Sequence, residues 1–384
     1  MAKVADQIAK QTLGSLAQAA IAKYLKQAVR YEQAVLADTD PEELHQMRVG
    51  MRRLRTAMQV FEPVIKLPKA AREPKVADVA RQLGELRDLD VISETLHTQF
   101  LPHLPEPEQA ALQSALEALG QHRRSVFKQV KQLIQGEKYR QLKKCLKAWG
   151  KEPRLSAIAP LPAATAMPDL VLPLISRLWL HPGWLVGTDE TLQADTQIDA
   201  AAADELIAQN SETLHSLRKQ IKRVRYQLKL VCDLYDNALD EVLDSLETMQ
   251  ETLGQLQDGA VMAEFLEAVI VNARCNMPTL FERLAEGRHQ AWQQWQTLQT
   301  TYLDPQQRHH LRQILLTPTP AVDESSEAPT SEPASAQPDR TAPKPASDTA
   351  PADSTAGQPD KAVQHTRRKA AAARRASSAM GFKK

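Results

Sequence analysis

Residues 44–61 read Leu-His-Gln-Met-Arg-Val-Gly-Met-Arg-Arg-Leu-Arg-Thr-Ala-Met-Gln-Val-Phe. Residues 214–231 read Leu-His-Ser-Leu-Arg-Lys-Gln-Ile-Lys-Arg-Val-Arg-Tyr-Gln-Leu-Lys-Leu-Val. Both stretches have the period of a helix. Leu44, Met47, Met51, Leu54, Met58 and Phe61 recur every three or four residues, and Leu214, Leu217, Ile221, Val224, Leu228 and Val231 take the same places in the second stretch. At about 100° per residue, His45, Arg48, Arg52 and Arg55 fall within an arc of roughly 80° beside that apolar stripe. One side of each helix is therefore core, and a narrow line of cations runs next to it. Arg53 and Arg223 lie off to one side, and Lys219, Tyr226 and Lys229 thicken the second line.

The two stretches are copies at a shift of 170 residues: His45-x-x-Arg48-x-x-x-Arg52-Arg53-x-Arg55 returns as His215-x-x-Arg218-x-x-x-Lys222-Arg223-x-Arg225. A second match falls at the same shift, where Leu83-Gly84-Glu85-Leu86-Arg87-Asp88 returns as Leu253-Gly254-Gln255-Leu256-Gln257-Asp258. Two ungapped matches at one offset predict an internal repeat, with halves over 5–149 and 201–316. Helical periodicity fills both. Stretches at about 4–38, 40–62, 70–99, 107–135 and 138–149 make the first half, and about 201–235, 238–257, 259–273, 278–303 and 305–315 the second. Asp40 as N-cap, Pro41 at the first helical position and Glu42 with Glu43 in the first turn mark one start sharply. Between the halves, 150–200 holds six prolines and the segment Trp179-Leu-His-Pro-Gly-Trp184. This reads as a connection packed on the body, because its tryptophans would otherwise be exposed. Beyond Thr317, nine prolines with Ala, Ser, Thr and acids predict a disordered tail over 317–366, followed by a basic segment over 367–384.

Composition agrees with an all-α fold. Aromatics are 4% of 384 residues and β-branched runs are rare, so an all-β reading is poor. The net charge of +1 conceals segregation: 317–366 carries 8 acids and 3 bases, 367–384 carries 7 bases, and the body is left near −1. Any anion site must come from local clustering. Cys145, Cys232 and Cys275 show no paired spacing, which predicts neither a disulfide framework nor a zinc site. The opening Met-Ala-Lys-Val-Ala-Asp-Gln lacks an apolar run, and the apolar region 155–186 is broken by prolines and charges. A cytoplasmic protein is expected.

Stacked like charges destabilise a helix, and no carboxylate lies between Glu43 and Glu62 or between Glu212 and Asp233. One such helix reads as a solvated basic face, or as cations paired with acids of neighbouring helices. Two copies, each led by a histidine, favour a site for an anion bearing many phosphates. Arg offers bidentate contacts, Lys adds point charge, and His donates to a phosphate oxygen.

This double motif, with Leu-Gly-x-Leu-x-Asp following each copy, resembles the CHAD family (conserved histidine α-helical domain) over about 5–315. The resemblance implies two antiparallel helical bundles related by a pseudo-twofold axis, with the basic helices facing a shared groove. It also implies binding of inorganic polyphosphate and, in some members, residence on polyphosphate granules. Carried over by position, the implied contacts are His45, Arg48, Arg52, Arg53 and Arg55, with His215, Arg218, Lys219, Lys222, Arg223, Arg225 and Tyr226. Thr56 stands where the second motif has Tyr226, and Gln257 where the first has Arg87. Arg87 with Asp88 is expected to be a structural pair.

No P-loop, GxSxG, HExxH or Glu-x-Glu-x-Lys motif accompanies the basic helices, so a non-catalytic protein without cofactor or metal is expected. Nucleic-acid binding is the competing reading, since phosphates dominate that affinity too. It is weakened by the near absence of base-stacking aromatics on these helices and of a DNA-reading motif. A third reading is an interaction protein that organises granules, with protein partners engaged through the C-terminal tail. Trp292 and Trp295, at helical spacing, are expected in the core.

Overall fold

The computed structural model describes residues 11–189 and 199–318, and every element of regular structure among them is a helix. The expected tail and basic segment lie outside the described residues, apart from Thr317 and Pro318 at the tail's start, as do residues 5–10 of the first half. The first half contains α1 (Leu13–Arg30), α2 (Glu32–Ala37), α3 (Pro41–Val60), α4 (Glu73–Thr95), α5 (Glu106–Gln135) and α6 (Glu137–Lys151). Helix α7 (Ala163–Trp179) follows, and then α8 (Ala200–Gln209), α9 (Ser211–Val231), α10 (Asp240–Val269), α11 (Pro278–Leu303) and α12 (Pro305–Leu316). No described helix is long and apolar enough to cross a membrane.

Local signals explain where the motif helices begin and what they bury. Asp40 caps α3 by accepting from the Glu42 amide at 2.8 Å. All six residues of the α3 stripe, and all six of the α9 stripe, are at most 3% exposed. Fully burying such a side chain contributes about 1.5–3 kcal/mol, against a cost of about 0.2–0.5 kcal/mol for each like-charged pair. Burial wins, and so the helices carry their cation lines. Helix α3 packs on α1, α4 and α9, while α9 packs on α10, α7 and α3. The two motif helices therefore touch. At the α1 contact the backbones come very close: a Cβ on Gly50 would sit 2.7 Å from the Ala28 nitrogen.

The stretch expected over about 4–38 is divided at Tyr31 into α1 and α2, and the structure differs from the sequence expectations in three further places. The expected single helix over 201–235 breaks at Asn210, whose amide and side chain both bond to the Leu206 carbonyl. The expected break near 258 is absent, and α10 runs straight through Gly259. A helical glycine costs about 1 kcal/mol relative to alanine, which burial of Leu256, Met262, Phe265 and Leu266 offsets. The connection over 150–200 contains α7, which tolerates Pro168 and Pro173 because Val171, Ile175 and Leu178 are fully buried. Its described residues include a buried face, with Met167, Trp179 and Trp184 at most 6% exposed. Trp184 is 1% exposed and stacks on Trp295 and Tyr302, with ring centroids 5.4 and 4.6 Å away. Trp292 and Trp295 are in the core. A further tie joins α5 to α11: the buried Glu108 carboxylate accepts from the amides of Thr279 and Leu280, at 3.1 and 3.2 Å. It thereby satisfies donors that a helix start leaves unpaired.

Candidate functional site

The contact of α3 with α9 brings cations of both motifs to one place. The guanidinium of Arg52 lies over the Tyr226 ring, 4.3 Å from its centroid. Arg225 lies 4.9 Å from the same centroid and donates to the Tyr226 hydroxyl at 3.2 Å. Tyr226, which has no aromatic counterpart in the first motif, thus touches one cation from each row. Lys222 faces Arg52, Arg48 and Arg218 together. Burial above all, and then these three charges, bring its ammonium down to about 7, with Asp88 opposing. Burial likewise draws Arg52 down to about 10, so that it remains charged at neutral pH.

Carboxylates enter this cluster from the following helices. Arg48 is 3.4 Å from Asp88, and 170 residues on, Arg218 is 3.4 Å from Asp258. Three guanidinium groups (Arg48, Arg52, Arg218) and a partly protonated Lys222 against two carboxylates leave between one and two positive charges unneutralised at neutral pH. These ion pairs are loose, and Asp88 and Asp258 are 68% and 60% exposed. Exposed pairs are worth about 0–1 kcal/mol, so the two carboxylates hold these arginines only weakly. The Nε atoms of Arg52 and Arg218 and Nδ1 of His215 are buried without a protein hydrogen-bond partner.

The remaining candidates sit differently. Arg225 is buried and held in a short ion pair by Glu247, and Arg55 is held similarly by Glu73. Each is committed to the protein, as the reading of cations paired with neighbouring acids expects. Arg53 bonds to Gln27 at 3.3 Å, Arg223 to Gln220 at 3.3 Å, and both stand aside from the cluster. Lys219 is exposed at the rim. His45 and His215 flank the site, and burial holds both below the ordinary imidazole value. Arg87 and Asp88 do not form the structural pair expected of them. Asp88 serves Arg48, while Arg87 approaches Glu94 at 3.9 Å. In the second half Gln257 accepts from Arg218 at 3.2 Å, so Gln at that position still engages the site. Among the described residues, no group of three or more His, Cys, Asp or Glu side chains is placed to hold a metal ion.

The repeated Leu-Gly-x-Leu has a physical reason that its sequence did not disclose. A Cβ on Gly254 would lie 2.7 Å from Nη2 of Arg218 and 3.2 Å from its Cζ, whereas on Gly84 the nearest atom is Nε of Arg48, at 3.6 Å. The Arg218 guanidinium rests on bare backbone. Alanine at 254 should push it off α10 and weaken anion binding about tenfold, by the loss of about 1.5 kcal/mol, the lower end for one charged contact. Gly84→Ala should leave binding nearly unchanged, and both variants should melt no lower than the parent because alanine favours the helix. Equal binding losses in the two variants, measured by anisotropy titration, would contradict this account.

The fold and its paired basic helices define an all-helical protein with a central cation cluster. The chain belongs to the CHAD domain family, whose sequence profile matches residues 19–267. Two solved structures are similar to it. One is the CHAD domain from the plant Ricinus communis, 23% identical, covering 80% of this chain and 92% of that one at a TM-score of 0.49. The other is PptA from Streptomyces chartreusis, 16% identical, covering 76% and 99% at a TM-score of 0.52. No curated protein matches.

Proposed function

We propose that this protein binds inorganic polyphosphate without catalysis, in a groove between α3 and α9 that both halves of an internal repeat build. The observation that carries the reading is Lys222: a half-buried second-half cation within the field of Arg48 and Arg52 of the first half. Concentrating unneutralised charge in this way is costly unless a polyanion relieves it. In this reading Arg48, Arg52, Arg218 and Lys222 contact phosphate directly, His45, His215 and Lys219 extend the row, and Arg55, Arg225 and Tyr226 hold it in place. Arg53 and Arg223 contribute field from the flanks. A pair of pseudo-twofold-related antiparallel bundles is supported by the recurrence, at the 170-residue offset, of both the Arg–Asp pairs and the glycines beneath the arginines. Residence on polyphosphate granules would follow from binding.

Competition in a mobility-shift assay tests the ligand class. At matched phosphate concentration and near-physiological salt, unlabelled polyphosphate should displace labelled polyphosphate at least tenfold better than RNA or duplex DNA, because the cluster offers charge without an exposed stacking platform. RNA or DNA competing equally well would overturn the reading in favour of nucleic acid.

A further inference from the structure

Helix α6 carries a second concentration of positive charge that the groove does not use. Tyr139, Leu142, Leu146 and Trp149 are buried and fix which way the helix faces. At about 100° per residue, Arg140, Lys143, Lys144, Lys147 and Lys151 fall within an arc of about 100° on the side away from that stripe. The same five side chains, with Ala148, line a shallow cavity of about 430 Å³. Two of them are occupied: Arg140 lies 3.1 Å from Glu137, and Lys143 lies 2.6 Å from the buried Glu32. Lys144, Lys147 and Lys151 are exposed and have no ion-pair partner among the described residues. They follow one another down the helix over about 10 Å.

The chemistry of this face selects its partner. Lysines present mobile point charges without the planar fork of arginine, which suits a flexible polyanion better than a fixed phosphate geometry. Bases would find no platform, because the aromatic residues of α6, Tyr139 and Trp149, are 1% and 4% exposed. A membrane surface would find no large apolar side chain to receive, since none of the exposed ones lies on α6. Geometry adds a reason for a shared chain. Helix α1 packs against both α3 and α6, so at about 8–10 Å per packed pair the axes of α3 and α6 lie within about 20 Å. The cation row from His45 to Arg55 is itself only about 15 Å long, so a long polyphosphate overhangs it.

We propose that this face of α6 is an auxiliary polyphosphate site that engages the overhanging part of a long chain already held in the groove. The proposal rests on the polyphosphate reading above. Once the groove is occupied, the second contact is intramolecular, so three weak lysine contacts add avidity for long chains and nothing for short ones.

The test compares two chain lengths on the full-length protein. One is a chain of a handful of phosphates, and the other has roughly a hundred, enough to span both sites. The triple variant Lys144→Gln/Lys147→Gln/Lys151→Gln alters only exposed side chains. It should bind the short chain like the parent and the long chain about tenfold more weakly, with a salt slope shallower by about 2, or 0.7 for each of three contacts. Long-chain affinity within twofold of the parent would overturn the proposal. So would an equal loss at both lengths, which would mean a general field and not a second contact, or a loss for RNA alone. The Arg48→Ala/Arg52→Ala variant separates the two claims. If it weakens both lengths while the triple variant weakens neither, only the α6 proposal fails; if it weakens neither, the groove reading fails and this proposal with it.

Discussion

Replacing Arg48 and Arg52 together with alanine is expected to lower long-chain polyphosphate affinity by about 100-fold. Replacing Arg218 and Lys222 together with alanine should do the same. A hydrogen bond to a charged group contributes about 1.5–3 kcal/mol, so two lost contacts amount to about 3–6 kcal/mol, of which solvent and salt leave the lower end. Each variant should also flatten the salt dependence by about 1.4, two contacts at about 0.7 each. With a shared groove the two losses are not additive, because each pair removes one wall of the same site. Unfolding will not explain such a loss. Removing charges from a cluster with a surplus of cations relieves repulsion, so both variants should melt at or above the parent's temperature. Binding site function and stability oppose each other here. A pair variant that keeps parental affinity, measured at several salt concentrations, would remove that helix from the site.

Polyphosphate affinity is further expected to fall by about tenfold per pH unit as the pH rises from 7 to 9, a loss of about 100-fold in all. The sign follows from Lys222, whose ammonium is brought to about 7 in the free protein by burial, Arg52, Arg48 and Arg218, with Asp88 opposing and Asp258 also within its field. Bound phosphate favours the ammonium and raises that value. Below pH 7 the amine is charged with or without ligand, and affinity is insensitive to it. Above pH 7 the free amine must take up a proton to bind, and affinity drops until the bound-state value is reached. His45 and His215, both held low by burial, open a second window on the acid side, where affinity rises as pH falls. Lys222→Arg, permanently cationic, should bind well and lose the dependence between pH 7 and 9 while keeping the acid-side rise. An unchanged slope in Lys222→Arg, or a flat profile in the parent, would contradict this assignment.

Much of this arrangement is legible in the chain itself, and what escapes does so for physical reasons. The apolar stripes of α3 and α9, and the Asp40-Pro41-Glu42-Glu43 start, are local patterns, and local patterns survive in any fold. The cation line is local too, but periodicity alone does not separate Arg48, loosely paired at 3.4 Å, from Arg55, held tightly by Glu73. That difference is set by acids on the next helix, 18 and 40 residues away. The 170-residue offset carried a clue to it: Asp88 and Asp258 recur along with the arginines they serve, and so do the glycines under those arginines. Reading Arg87 as the partner of Asp88 gave weight to adjacency, whereas neighbours in sequence point to different sides of a helix. The lysine face of α6 has no repeat to distinguish it from any solvated basic helix, and only the cavity it lines sets it apart. Continuity through Gly259 and the helix around Pro168 and Pro173 are tertiary outcomes, in which buried neighbours outweigh local propensity.

The claim at the centre is that two motif helices make one site, and the stoichiometry of a short chain tests it most directly. Calorimetric titration with a polyphosphate just long enough to fill the run from His45 to Arg55, about 15 Å, should give one tight chain per protomer. Either charge-removing pair should abolish that single event. Two equivalent chains per protomer, with one surviving at full affinity in each pair variant, would show that the repeat forms two independent patches.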